Sequence, residues 1–122
     1  MYGGTVAKNQ KDMDNIFYKV MKEVGENDNV EILKGMSDDM CLLIENDSID
    51  WLYIDGNHEY EFVLKDLYNF YPKVKKGGYI NGDDYTWKNP KGVTTVKKAV
   101  NDFTKKMGLN AQIFGNQFII RK

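Results

Sequence analysis

The chain has 122 residues, a formal net charge of −1 and 29% charged residues, which fits one folded domain (1–122) with a modest core and gives no broad basic field for a nucleic-acid partner. A single cysteine, Cys41, excludes an internal disulfide and fits a reducing compartment. No apolar run approaches membrane-spanning length and the N-terminus lacks the basic-then-apolar layout of a secretory signal, so the expected setting is the cytoplasm, away from any membrane.

Taken in order, Met1 to Gln10 is polar and glycine-containing and reads as loop. Lys11 to Val24 predicts a helix, because Met13, Ile16, Phe17, Val20, Met21 and Val24 recur at three-to-four spacing. Gly25 and the polar run after it stop this helix, and Val30-Glu31-Ile32-Leu33 predicts a short strand closed by Lys34-Gly35. Ser37 is placed to cap a short helix from Asp38 to about Glu45, with Met40, Leu43 and Ile44 inward and Cys41 as core filler. Trp51 to Ile54 is a short apolar, aromatic and β-branched run, the composition of a strand buried on both faces. Asp55-Gly56-Asn57 breaks it, and the one histidine, His58, follows at once.

Tyr60 to about Val74 predicts a longer helix with Val63, Leu67, Phe70, Tyr71 and Val74 on one face and Pro72 in its last turn. Lys75-Lys76-Gly77-Gly78 reads as the exit turn, and the next strand runs from Tyr79 to Gly82 and ends in Asp83-Asp84-Tyr85. After a loop containing Pro90, Val93, Val96, Val100, Phe103 and Met107 mark a third helix that Gly108 can terminate. Ala111 to Phe114 and Gln117 to Ile120 read as two strands joined by Gly115-Asn116, a hairpin dipeptide. Alternating helices and strands predict an α/β fold, with a mostly parallel sheet, helices on both faces and an antiparallel hairpin at the edge.

Asp55 and Asp83 each follow a strand, and one helix returns the chain from the first strand to the second as a parallel neighbour. Strands so paired lie about 4.8 Å apart, so the carboxylates of Asp55, Asp83 and Asp84 are expected to converge. Hard oxygen donors in that number suit a Mg²⁺-type ion. His58, one turn beyond Asp55, can face the same place as a general base, histidine being the side chain that titrates near neutrality. Singly these residues have plainer explanations. An Asp-Gly at a strand end is a turn, a lone histidine is a surface residue, and an Asp pair closes a loop. Their joint placement at two parallel strand ends is what favours chemistry.

Ile54-Asp55-Gly56-Asn57-His58-Glu59-Tyr60, Leu64-Lys65-Asp66-Leu67, Pro72 to Ile80, Gly82-Asp83-Asp84-Tyr85 and Val96 to Phe103 together resemble the second half of a class I S-adenosylmethionine-dependent methyltransferase. The nearest type is the metal-dependent O-methyltransferases whose fourth strand ends in I-D-G-x-H-x-Y, including those acting on sugars. The resemblance spans about Val30 to the end. It implies a partial Rossmann-like methyltransferase sheet, with Mg²⁺ on Asp55, Asp83 and Asp84, and His58 as the base. It also implies S-adenosylmethionine beside Gly35, Met36, Ser37 and Asp55, and a sugar or other small-molecule hydroxyl as methyl acceptor. The family's glycine-rich turn after its first strand and the ribose-binding acid one strand later have no counterpart, since Gly3-Gly4 follows only Met1-Tyr2. The chain is therefore expected to be the C-terminal portion of such a domain, with sheet edges open to self-association. Two other readings stand beside this one: a non-catalytic methyltransferase-like interaction domain, and a metal-dependent sugar-nucleotide transferase.

Overall fold

The computed structural model describes residues 33–122 continuously, with 29–31 and the single positions 15, 19 and 22. The chain divides into two compact units, Met1–Met36 and Ser37–Lys122. In the first, Asn15, Lys19 and Lys22 are helical and exposed, while the apolar face expected at Met13, Ile16, Phe17, Val20, Met21 and Val24 lies outside the described residues. Of the expected strand Val30 to Leu33, the described residues Val30, Glu31 and Leu33 are exposed and take no strand conformation.

The second unit carries a four-stranded mixed sheet. Its strands are β1 (Ile49–Ile54), β2 (Val74–Gly82), β3 (Ala111–Phe114) and β4 (Gln117–Arg121), in the order β1-β2-β4-β3. The β1–β2 pair is parallel, as the intervening helix requires, and the β2–β4 and β3–β4 pairs are antiparallel. Among the described residues the sheet is thus mixed, with one parallel pairing, because the C-terminal hairpin joins directly to β2.

Along β1, Ile49, Leu52 and Ile54 pack against the core, whereas Trp51 is 63% exposed and Tyr53 is also exposed. Burial on both faces, expected from composition, is therefore not found. The rings of Trp51 and Tyr53 instead meet edge to face at 6.3 Å on the outer side. The core lies on the other side, under α2 (Tyr60–Phe70) and α3 (Thr95–Met107), which pack on each other as well as on the sheet. Leu67, Val74, Ile80, Val100, Phe103, Phe118 and Ile120 are fully buried there. Each such side chain contributes about 1.5–3 kcal/mol through burial.

Helix α2 is shorter than its apolar stripe suggests. It ends at Phe70, a 3₁₀ turn takes Tyr71–Lys73 with Pro72 near its start, and Val74 already belongs to β2. Proline suits the first turn of a helical segment and cannot extend the preceding one. The Lys75-Lys76-Gly77-Gly78 stretch, expected as a turn, lies within β2 but is irregular. Ile49 pairs with Val74 and Trp51 with Tyr79, and Gly77 holds φ +86° in the extra length. Gly78 must be glycine for a second reason: a Cβ would meet the Asp50 carbonyl oxygen at 2.8 Å.

Helix α1 (Ser37–Met40) continues into a 3₁₀ turn, Cys41–Leu43. Cys41 is buried as expected, but Leu43 is 66% exposed, since the tighter turn rotates it off the inner face. Ser37 does not cap this helix from outside. It is the first helical residue, and its hydroxyl donates to Asp66 Oδ1 at 2.6 Å. Helix α3 stops at Gly108, in the left-handed conformation with φ +69°. Val93 and Met107, expected on its buried face, are exposed at or beyond its ends. Among the described residues no helix is long and apolar enough to cross a membrane.

Candidate active site

Ile54 and Gly82 are partners in the parallel β1–β2 pairing, so the next residue on each strand, Asp55 and Asp83, emerges side by side at the C-terminal edge. Open α/β sheets bind their ligands at such edges. Asp84 joins them because its backbone turns to φ +62°, a left-handed conformation that aspartate tolerates better than most residues. One carboxylate oxygen from each of Asp55, Asp83 and Asp84 lies within 4.8 Å of the others, and all three residues are half-buried. A cavity of about 10 Å³ between them, room for a single water or ion, is closed below by Ile54, Val63, Val96 and Phe118.

His58 reaches this cluster through a tight turn. Asn57 Oδ1 accepts the Glu59 N–H at 2.8 Å, an Asx turn that starts α2. The His58 carbonyl accepts the Thr95 hydroxyl at 2.5 Å, its ring lies 5.1 Å from that of Trp87, and its Nε2 is paired with Asp84 Oδ2. The imidazole is thereby fixed from the backbone, from one flat side and at one nitrogen. Tyr53 stands on β1 just before the cluster. Partial desolvation, and then the charges of Asp83, Asp55 and Asp84, push its phenol above the ordinary 10.0, against a hydrogen bond with Gln117 that lowers it.

The structure thus brings together His58, Asp55, Asp83 and Asp84. Of the residues expected to hold the cofactor, Ser37 and Asp55 line one cavity of about 270 Å³ with Tyr53, Ile54, Asp66 and Phe70. Gly35 and Met36 belong to the N-terminal unit, where both are exposed. Sequence reasoning missed Trp87, Thr95 and Asn116. Asn116 Nδ2 donates to Asp83 Oδ1 at 3.1 Å, yet Gly115-Asn116 had a complete explanation as a hairpin turn. Trp87 and Thr95 fall in a loop and at a helix start, where no periodicity marks them.

Comparison with known proteins supplies the family. A model described as "Methyltransferase domain" matches residues 5–85, more than half of the 122. The chain belongs to that methyltransferase domain family. The match starts well before Val30, so the likeness extends further toward the N-terminus than the motifs alone suggested. An uncharacterized protein, R132, of Acanthamoeba polyphaga mimivirus is 40% identical over 81 residues, which are 61% of this chain and 36% of that protein. The chain therefore spans about a third of that relative's length. Among solved structures, the O-methyltransferase NovP superposes with a TM-score of 0.65 at 24% identity, over 93% of this chain and 45% of NovP. A structure titled a putative caffeoyl-CoA O-methyltransferase from Staphylococcus aureus gives 0.69 at 13% identity, over 93% of this chain and 61% of the other. At these identities the likeness establishes the fold: an α/β methyltransferase sheet.

Proposed function

We propose that this chain forms part of a divalent-cation-dependent, S-adenosylmethionine-dependent O-methyltransferase that acts on a hydroxyl of a sugar or similar small molecule. The observation that carries the reading is the convergence of Asp55, Asp83 and Asp84 at two paired strand ends of a methyltransferase fold. Oxygens on opposite sides of a bound ion stand two bond lengths apart, about 4.0–4.2 Å for Mg²⁺ and about 4.6–5.2 Å for Ca²⁺, so a set of three within 4.8 Å needs little movement to take up such an ion. The donors are all hard oxygens, as Mg²⁺ and Mn²⁺ require. A cation held by these three residues supplies electrostatic stabilisation to a developing alkoxide.

His58 is the proton acceptor in this reading. Its Nε2 donates to the Asp84 carboxylate, which can only accept, so the tautomer leaves Nδ1 as the basic nitrogen and a proton from the methyl acceptor is taken up there. Thr95 holds the residue through its backbone carbonyl and Trp87 packs against the ring, so the imidazole keeps its orientation. The cavity lined by Ser37, Asp55, Asp66 and Phe70 offers polar and aromatic groups to part of the cofactor. A second cavity, of about 480 Å³, is walled by Glu59, Tyr60, Trp87, Lys91 and Thr95. It shares Trp87 with His58, and its polar and aromatic lining supports a small hydroxylated acceptor.

The test is methyl transfer from methyl-labelled S-adenosylmethionine to a panel of sugar and phenolic hydroxyls by the protein with its full natural sequence. Transfer that stops with chelator and returns with Mg²⁺ supports the reading. Transfer unaffected by chelator removes the metal from it, and transfer to none of the panel removes the hydroxyl acceptor.

A further inference from the structure

The β2–β4 pairing places Phe118 opposite Gly82, and continuing that antiparallel register by two residues brings Asn116 opposite Asp84. The hairpin turn thus lies at the same end of the sheet as the acidic cluster. Asn116 grips the Asp83–Thr86 loop at three points there. Its backbone carbonyl accepts the Tyr85 N–H at 2.9 Å. Its Oδ1 accepts both the Thr86 N–H at 2.8 Å and the Thr86 hydroxyl at 2.5 Å. Its Nδ2 donates to Asp83 Oδ1 at 3.1 Å.

This arrangement has one consistent reading of the amide. The Thr86 N–H can only donate, so the oxygen of Asn116 must face it, and the amide NH₂ is left for the carboxylate. Asn116 therefore occupies one lone pair of Asp83 Oδ1 and fixes the rotation of that carboxylate. Three carboxylates crowded together repel and rotate apart unless something orients them. A neutral donor does so without adding a cation that would compete for the site.

We propose that Asn116 is the positioning residue for Asp83: through its side-chain amide, the hairpin turn sets the carboxylate geometry into which a divalent cation binds. The proposal rests on the metal reading above. It adds that metal affinity is controlled from the β3–β4 turn, by a residue outside the three carboxylates. Partners of this kind, which orient a ligating side chain, typically cost 10–100-fold in metal affinity when removed.

The experiment is titration of the full chain with Mn²⁺, read as the loss of the free-ion electron paramagnetic resonance signal, for the wild type, Asn116→Gly and Thr86→Val. Asn116→Gly keeps a hairpin-compatible turn and removes the amide, with its bonds to Thr86 as well as the bond to Asp83. Thr86→Val removes the loop's hydroxyl contact but leaves the bond to Asp83. The expected result is about 10–100-fold weaker Mn²⁺ binding in Asn116→Gly and within about 2-fold of wild type in Thr86→Val, with similar metal-free melting curves for both. Equal weakening in the two variants would show that Asn116 acts only on loop shape, and wild-type binding in Asn116→Gly would show that it does not act at all. A wild type that binds no Mn²⁺ overturns the metal reading itself, and this proposal with it.

Discussion

Gly82 is the last residue of β2 and immediately precedes Asp83, and Gly82→Ala tests how rigidly the strand end is set. A methyl group there would overlap two ring atoms of Phe118 and lie 3.0 Å from the Ile54 carbonyl oxygen. Neither side can yield freely. Phe118 is 1% exposed within the core cluster, and its ring packs against Tyr85 at 6.5 Å between centroids. The Ile54 carbonyl belongs to the neighbouring strand. The methyl group must therefore displace backbone, at a cost of about 1–3 kcal/mol for overpacking a tight core. In a domain of this size that lowers Tm by roughly 4–8 °C for each kcal/mol. Phe118→Leu alone should cost on the order of 1–2 kcal/mol for the ring volume lost. In the double variant the smaller side chain relieves the overlap, so the two losses should be less than additive by about 1 kcal/mol or more. Urea denaturation of the four proteins, followed by circular dichroism, measures the cycle. Additive losses, or a Gly82→Ala protein as stable as wild type, would refute the close approach of Phe118 to the strand end.

In the complete enzyme, His58→Ala should lower kcat by about 10²–10⁴ with KM for the cofactor nearly unchanged; single-turnover methyl transfer separates the two, and near-normal turnover removes His58 from the chemistry. Phe103, fully buried against the rings of Tyr68 at 5.1 Å and Tyr71 at 5.7 Å, should cost about 3–5 kcal/mol on replacement by alanine, and a smaller loss by urea midpoint would mean that the α2–α3 packing is looser than described. The hydrogen bond to Asp102 pushes the Tyr60 phenol above its ordinary 10.0, and the hydrogen bond to Asp38 pushes Lys65 above its ordinary 10.5. Groups raised on folding stabilise fully below their unfolded values and lose that contribution as pH rises through the folded ones, so the urea midpoint should fall above about pH 10. That fall should be shallower in a Tyr60→Phe, Lys65→Met protein, and an identical alkaline profile would contradict both pairings.

The parts of the molecule that announced themselves in the sequence are those governed by one local rule. The hairpin followed from Gly115-Asn116, the end of α3 from Gly108, and the core face of α3 from the spacing of Val96, Val100 and Phe103. Asp55, Asp83, Asp84 and His58 could be gathered in advance because parallel pairing makes two strand ends neighbours. What stayed hidden depends on contacts distant in sequence or on competing local rules. Trp51 and Tyr53 have strand composition, but composition does not say which faces are covered. Lys75 to Gly78 has turn composition, yet the stretch is absorbed into β2 as an irregularity, because Val74 already pairs with Ile49. Ser37 has the identity of a helix cap but gives its hydroxyl to Asp66, a partner 29 residues away. Asn116 was legible as a turn residue only, since its bond to Asp83 spans 33 positions of sequence.

Calorimetric titration of the chain with Mg²⁺ and Mn²⁺ measures whether Asp55, Asp83 and Asp84 form one divalent-cation site. A single site is expected, and Asp55→Asn or Asp83→Asn should abolish the heat of binding while the far-ultraviolet circular dichroism is kept. No binding by a folded wild type, or binding that survives both substitutions, would contradict it.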